Sequence, residues 1–260
     1  MLNTKPPGER TGYAHPQCYA SGLADCDQKI SREHYISENL LKRIGESVLV
    51  SGLAWLDEAK LLSTNALASK VLCKRHNEAL SPLDTHITGV YDALKNWRDG
   101  QNVGEHSFDG EDIERWAIKL MLGFVMSGSA GYGGLRVRTR SVPIQYVRVL
   151  FGESQIVAGA GLFVAPHPPP GDDGESKLAI FNLHAPPHDR DAGAIVGVGI
   201  RMLDFTFLTT VPRFPLRGTS AYRPTEVRLG DAGVLRFRWE QRRAARSVSL
   251  DRARPNASLR

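Results

Sequence analysis

The run Cys73-Lys74-Arg75-His76-Asn77 spaces a thiol and an imidazole two residues apart, and an asparagine follows at once. Such a Cys-x-x-His turn sets two donors on the same side of an ion and leaves the backbone between them free to donate to sulfur. The only other cysteines are Cys18 and Cys26, both upstream, and none follows in the remaining chain. Zinc takes four thiolate or imidazole ligands in a tetrahedron. The reading is therefore one structural Zn²⁺ held by Cys18, Cys26, Cys73 and His76. Seven residues separate Cys18 from Cys26, against the usual two to four or so in such pairs. His15 is the substitute ligand if one of the four is misassigned.

Composition bounds the rest. The chain has 260 residues, 42% hydrophobic and 23% charged, which suits a protein that buries a core. Three cysteines are too few, and odd in number, for a disulfide framework. No apolar run reaches the roughly 18 residues that span a bilayer, and the N-terminus lacks the apolar core of a signal peptide. A cytoplasmic protein with no membrane partner is the expectation. The net charge of +5, with arginines concentrated from Arg236 to Arg260, suits a polyanionic partner.

Around the knuckle the chain divides into an N-terminal module over residues 1–100, a β-rich domain over 105–245 and a basic tail over 246–260. The fold class is α+β. Lys29 to Ile36 reads as a short strand or turn carrying Glu33 and His34. Ser37 caps a short helix that Gly45 stops. Val48 to Val50 reads as a strand and Asp57 to Leu67 as a helix. A helix is predicted from Ser81-Pro82-Leu83-Asp84, where a cap, a proline and a first-turn acid succeed one another. Residues 99–110, polar and holding three glycines, read as a boundary or hinge. Asp109 then caps an apolar helix through Val125. Ile144 to Phe151, Gly161 to Ala165, Lys177 to Leu183, Ala194 to Thr209 and Val234 to Trp239 read as strands.

Glu33-His34, then Asn65-Ala66-Leu67, then the knuckle with Asn77, resembles the zinc-stapled HNH endonucleases. The resemblance covers roughly residues 15–98. It implies a ββα-metal unit in which an acid and a histidine end the first strand and the knuckle opens the helix. It further implies metal-dependent hydrolysis of DNA phosphodiester bonds. In that reading His34 is the general base, Glu33 and Asn77 are oxygen donors to a catalytic Mg²⁺ or Mn²⁺, and Asn65 orients His34. The alternatives are a non-catalytic zinc module that binds nucleic acid or protein, or a zinc scaffold for a β-rich domain that senses a ligand.

Other motifs carry less. Gly128 to Gly134 lacks the Gly-Lys-Ser/Thr ending of a phosphate loop. His184, His188, Asp189 and Asp191 sit among prolines and read as a surface loop. No Gly-x-Ser-x-Gly elbow is present.

Overall fold

A computed structural model describes residues 1–45, 47–50, 53, 56, 58, 60–132, 135–136, 141–156, 159–165, 178–185, 194–203, 205–211, 221–240 and 248–250. The fold is α+β. The first part holds β1 (Ile30–His34), α1 (Glu38–Ile44), β2 (Ser47–Val50), β3 (Lys60–Ser63), β4 (Ala68–Cys73) and α2 (Lys74–Arg98). Next come β5 (Gly104–Asp109), α3 (Gly110–Ser127), β6 (Gly131–Tyr132), β7 (Leu135–Arg136) and α4 (Ile144–Leu150). The remaining strands are β8 (Gly161–Ala165), β9 (Leu178–His184), β10 (Ile195–Met202), β11 (Phe205–Thr210), β12 (Ala221–Tyr222), β13 (Glu226–Leu229), β14 (Gly233–Arg238) and β15 (Val248–Leu250).

Strand β1 pairs antiparallel with β4, from Ile30 opposite Cys73 to His34 opposite Ala68. Between Ser31 and Glu33 the register slips, because β4 carries one extra residue there. Such a bulge re-aims the side chains beyond it, here Glu33 and His34. Strand β4 runs into α2 with no intervening loop, so β1, β4 and α2 form a ββα unit with α1, β2 and β3 inserted.

Five antiparallel strands in the order β12-β8-β11-β10-β9 form the largest sheet, and β15-β13-β14-β5 form a second. Helix α3 packs against α2, α4, β4, β8, β10, β11 and β14. Asp109 caps it by accepting from the Asp112 N–H, and Gly128, in the left-handed region at φ 71°, ends it. Buried nearly all round, α3 holds several of its charges in pairs. Arg115 meets Asp112 at 2.8 Å, Glu114 meets Arg223 at 2.8 Å, and Lys119 meets Glu33 and Asp84. The buried side chains form one contiguous cluster that takes in Leu40 of α1 and Val198 of β10 alike.

Several elements differ from the sequence expectation. In the stretch Asp57 to Leu67, read as a helix, residues 60–67 instead form β3 and a 3₁₀ turn over Thr64–Leu67. Leu62 is buried while its neighbour Leu61 is exposed, an alternation that serves a strand opposite the β-branched Val48 and Val50. Ile144 to Phe151 is helix α4 rather than a strand. Its β-branched residues suggested sheet, but Val147, Leu150 and Phe151 bury one helical face. The stretch read as a hinge contains β5, which pairs in parallel with β14 over 100 residues downstream. Its mostly exposed side chains leave no alternation to read.

Helix α2 starts at Lys74, not at Ser81, and runs through Pro82. Proline cannot donate to the Glu78 carbonyl, and Glu78 lies exposed on the helix surface. The basic tail from Arg252 onward, Arg242, Arg243 and Arg246, the loop at His188, Asp189 and Asp191, and Gly133 and Gly134 lie outside the described residues.

Candidate functional site

Cys18 and Cys26 lie on the loop that precedes β1. That loop is tied to the ββα unit by the Tyr19 N–H donating to Val71 O at 3.0 Å. The 3₁₀ turn Ser21–Leu23, closed by Ala24 at φ 50°, takes up the long spacing between the two cysteines. Asp25 locks the loop to α2 by accepting from Arg75 Nε at 3.0 Å, and its Oδ1 accepts from the Thr11 N–H at 3.0 Å.

The result is a buried group of Cys18, Cys26, Cys73 and His76 whose donor atoms all lie within 4.8 Å of one another. His76 Nδ1 stands 3.1 Å from Cys73 Sγ, 3.6 Å from Cys18 Sγ and 3.7 Å from Cys26 Sγ. Metal–sulfur bonds of about 2.3 Å and a metal–nitrogen bond of about 2.0 Å put the S···N edges of a tetrahedron at about 3.5 Å. The cluster therefore has the dimensions to hold a metal ion.

Its electrostatics agree. A hydrogen bond with the Cys18 thiol, opposed by burial and aided by one with the His76 ring, draws the Cys73 pKa well below the usual thiol range. The same contact pushes Cys18 up, and burial pushes Cys26 up. Three thiols so close cannot all ionise without added positive charge. The Asp27 N–H donates to Cys73 Sγ at 3.4 Å, and the start of α2 favours a thiolate at Cys73. His76 is fully buried against Phe151, and its Nε2 has no hydrogen-bond partner. A metal bond at Nδ1 would offset that loss. His15 stands apart, its Nδ1 accepting from the Gln17 N–H at 3.1 Å.

A second group faces a cleft of about 410 Å³ bordered by β1, α1 and α2. Its walls include His34 and Glu33 on one side and Asn77, Ser81 and Asp84 on the other. None of the four metal-type donors of the buried cluster lines it. His34 is half-buried, with Glu38 Oε2 3.9 Å from its Nδ1. Burial lowers the His34 pKa below its usual value, and Glu38 opposes the shift only in part. The shift favours the neutral imidazole, the form a proton acceptor needs.

Glu33 and Asn65 are placed differently from their expected roles. The Glu33 carboxylate is buried, and its Oε1 makes a close ion-pair contact, 2.7 Å, with Lys119 Nζ. Burial raises the Glu33 pKa, and Lys119 pulls it back only partly. Lys119 also donates to both oxygens of Asp84, at 2.9 and 2.7 Å, and Trp116 Nε1 donates to Asp84 Oδ1 at 3.2 Å. Asn65 lies exposed in the 3₁₀ turn, where its carbonyl accepts from Arg32 Nη2 at 2.8 Å, and it does not line the cleft.

Sequence reasoning missed Lys119 and Asp84. The available signal was a lone lysine inside the otherwise apolar run from Ile118 to Val125. Comparison with family models, curated proteins and solved structures returns no match to this chain. Among the described residues, no helix is long and apolar enough to cross a membrane.

Proposed function

We propose that this chain is a metal-dependent, HNH-like endonuclease that hydrolyses DNA phosphodiester bonds, its ββα unit stapled by one structural Zn²⁺ at Cys18, Cys26, Cys73 and His76. The observation that carries the reading is topological. His34 ends β1, Asn77 lies in the first turn of α2, and the β1–β4–α2 unit brings both to one open cleft beside the buried cluster. Zinc fits four soft donors, three of them thiols, better than magnesium or calcium does.

His34 would accept the proton of the attacking water. Its neutral ring and its place in the cleft wall suit that role. A Mg²⁺ or Mn²⁺ ion would supply charge to the scissile phosphate and the leaving oxygen. Such an ion needs only one or two protein oxygens, and Asn77, on the cleft wall, supplies one. Glu33 and Asp84, both engaged by Lys119, are then structural members of the site rather than ion ligands.

The test is nicking of a supercoiled plasmid with Mg²⁺ or Mn²⁺, comparing the parent with His34→Ala and Asn77→Ala, all checked for zinc. The parent nicks and both variants lose activity with zinc retained. Equal nicking by His34→Ala and the parent would overturn the assignment. A second reading draws on Glu33 and Asn65, which stand apart from their expected roles: a zinc module that binds nucleic acid without cutting it. DNA binding by a parent that never nicks would select it.

A further inference from the structure

Helix α3 grips the cleft over successive turns. Trp116 donates to Asp84 on α2, and Lys119 bridges Asp84 and Glu33 on β1. One turn further, Gly123 meets Tyr35. A Cβ at Gly123 would stand 2.5 Å from the Tyr35 Cβ, so only glycine permits this approach. The Tyr35 ring also packs on Phe124, with ring centroids 4.7 Å apart. His34 therefore sits between two residues, Glu33 and Tyr35, that α3 holds in place. On the opposite wall, Asp84 lies two turns beyond Asn77 and on the same face of α2, since both line the cleft.

Lys119 is the contact that joins the two walls. Without it, Glu33 and Asp84 would face each other as like charges. With it, each carboxylate is drawn to a common ammonium. Its side chain is 1% exposed, and the two carboxylates outweigh the burial that opposes its charge. A buried charge cluster of this kind is seldom the most stabilising filling for a core, since apolar residues of similar volume often do as well. Fixing one arrangement of neighbouring elements is the best-attested reason to keep one.

We infer that Lys119 is a positioning residue: by bridging Glu33 and Asp84 it sets the disposition of His34 against Asn77 across the cleft. The kinetic arm of the test rests on the nuclease reading; the spectroscopic arm does not. A misplacement of about 1 Å costs roughly 10²-fold in rate. Lys119→Met, verified to be folded and zinc-loaded, should lose roughly that much in kcat while KM stays within about threefold. The His34 ring and Asn77 side-chain amide NMR signals should shift and broaden, while those of His76 stay in place. If Lys119→Met does not fold, Lys119→Arg replaces it, keeping the charge but changing the reach, and the same shifts are expected. Propylammonium added to Lys119→Ala should restore the parental His34 and Asn77 signals, and propanol should not. A folded variant with parental His34 and Asn77 signals overturns the inference, whatever the protein cleaves. A parent that nicks nothing removes the nuclease reading and leaves the spectroscopic result to decide on Lys119.

Discussion

Two polar clusters abut the β1–β4–α2 unit, and they meet the same electrostatic problem differently. Glu33, Asp84 and Lys119 carry their own counter-charge: an ammonium lies within 3 Å of both carboxylates. Cys18, Cys26, Cys73 and His76 bring no lysine or arginine with them, and their contacts draw the Cys73 pKa down. The first cluster supplies its own cation. The second could hold a metal ion in that place. Under the proposed zinc reading, the fold depends on solution metal at one point and on a single lysine at the other.

Metal removal should therefore separate the two most sharply. Structural zinc in small peptides contributes on the order of 10 kcal/mol or more. Chelation, or Cys73→Ser, should unfold the ββα unit, seen as loss of α2 helicity in far-UV circular dichroism and a lower melting temperature. A chelated protein that melts at the parental temperature would place the two clusters on an equal footing. Lys119→Met should come next. Removing one partner of a buried charge cluster costs about 3–5 kcal/mol, measurable by urea unfolding of the zinc-loaded protein. A cost under about 1 kcal/mol would show that the cluster is solvated.

The two clusters also differ in how far the sequence reveals them. Cys73 and His76 sit three residues apart, and the other two cysteines are the only ones left in the chain, so spacing and cysteine count together point to the four donors. Glu33, Asp84 and Lys119 come from three separate elements, and no local pattern joins them. Lys119 shows up only as a charge misplaced in an apolar helix. The same logic explains the elements misread. In α4 the β-branched residues favour sheet, yet burial of Val147 and Leu150 makes it a helix. Strand β5 has its partner far along the chain in β14. The capped, glycine-stopped helices α1 and α3 are legible because their signals are local.

Smaller effects refine the cleft. His34→Ala should lose about 10²–10⁴-fold in nicking rate while leaving the zinc content and melting temperature close to parental. The pH profile of nicking should follow the same group. Because burial disfavours the imidazolium, the rate should fall as the solution is acidified, with a midpoint below the ordinary histidine value of about 6.5, and be flat from there to pH 7. A midpoint above that value would mean that the ring is stabilised in its charged form. Glu38→Gln should matter least for stability. Its ion pair with Lys42 is exposed, and such pairs contribute about 0.5 kcal/mol or less. The substitution should still move the acid limb to lower pH, since Glu38 is the neighbour that raises the His34 pKa. An unchanged limb would mean that Glu38 does not reach the ring in solution.

The claim on which the comparison depends is that the cysteine–histidine cluster is a zinc site. X-ray absorption at the zinc edge, on protein purified without chelator, tests it directly. The account predicts one zinc per chain with three sulfur neighbours at about 2.3 Å and one nitrogen at about 2.0 Å. Protein that is folded and free of zinc, or zinc surrounded mainly by oxygen, would contradict it.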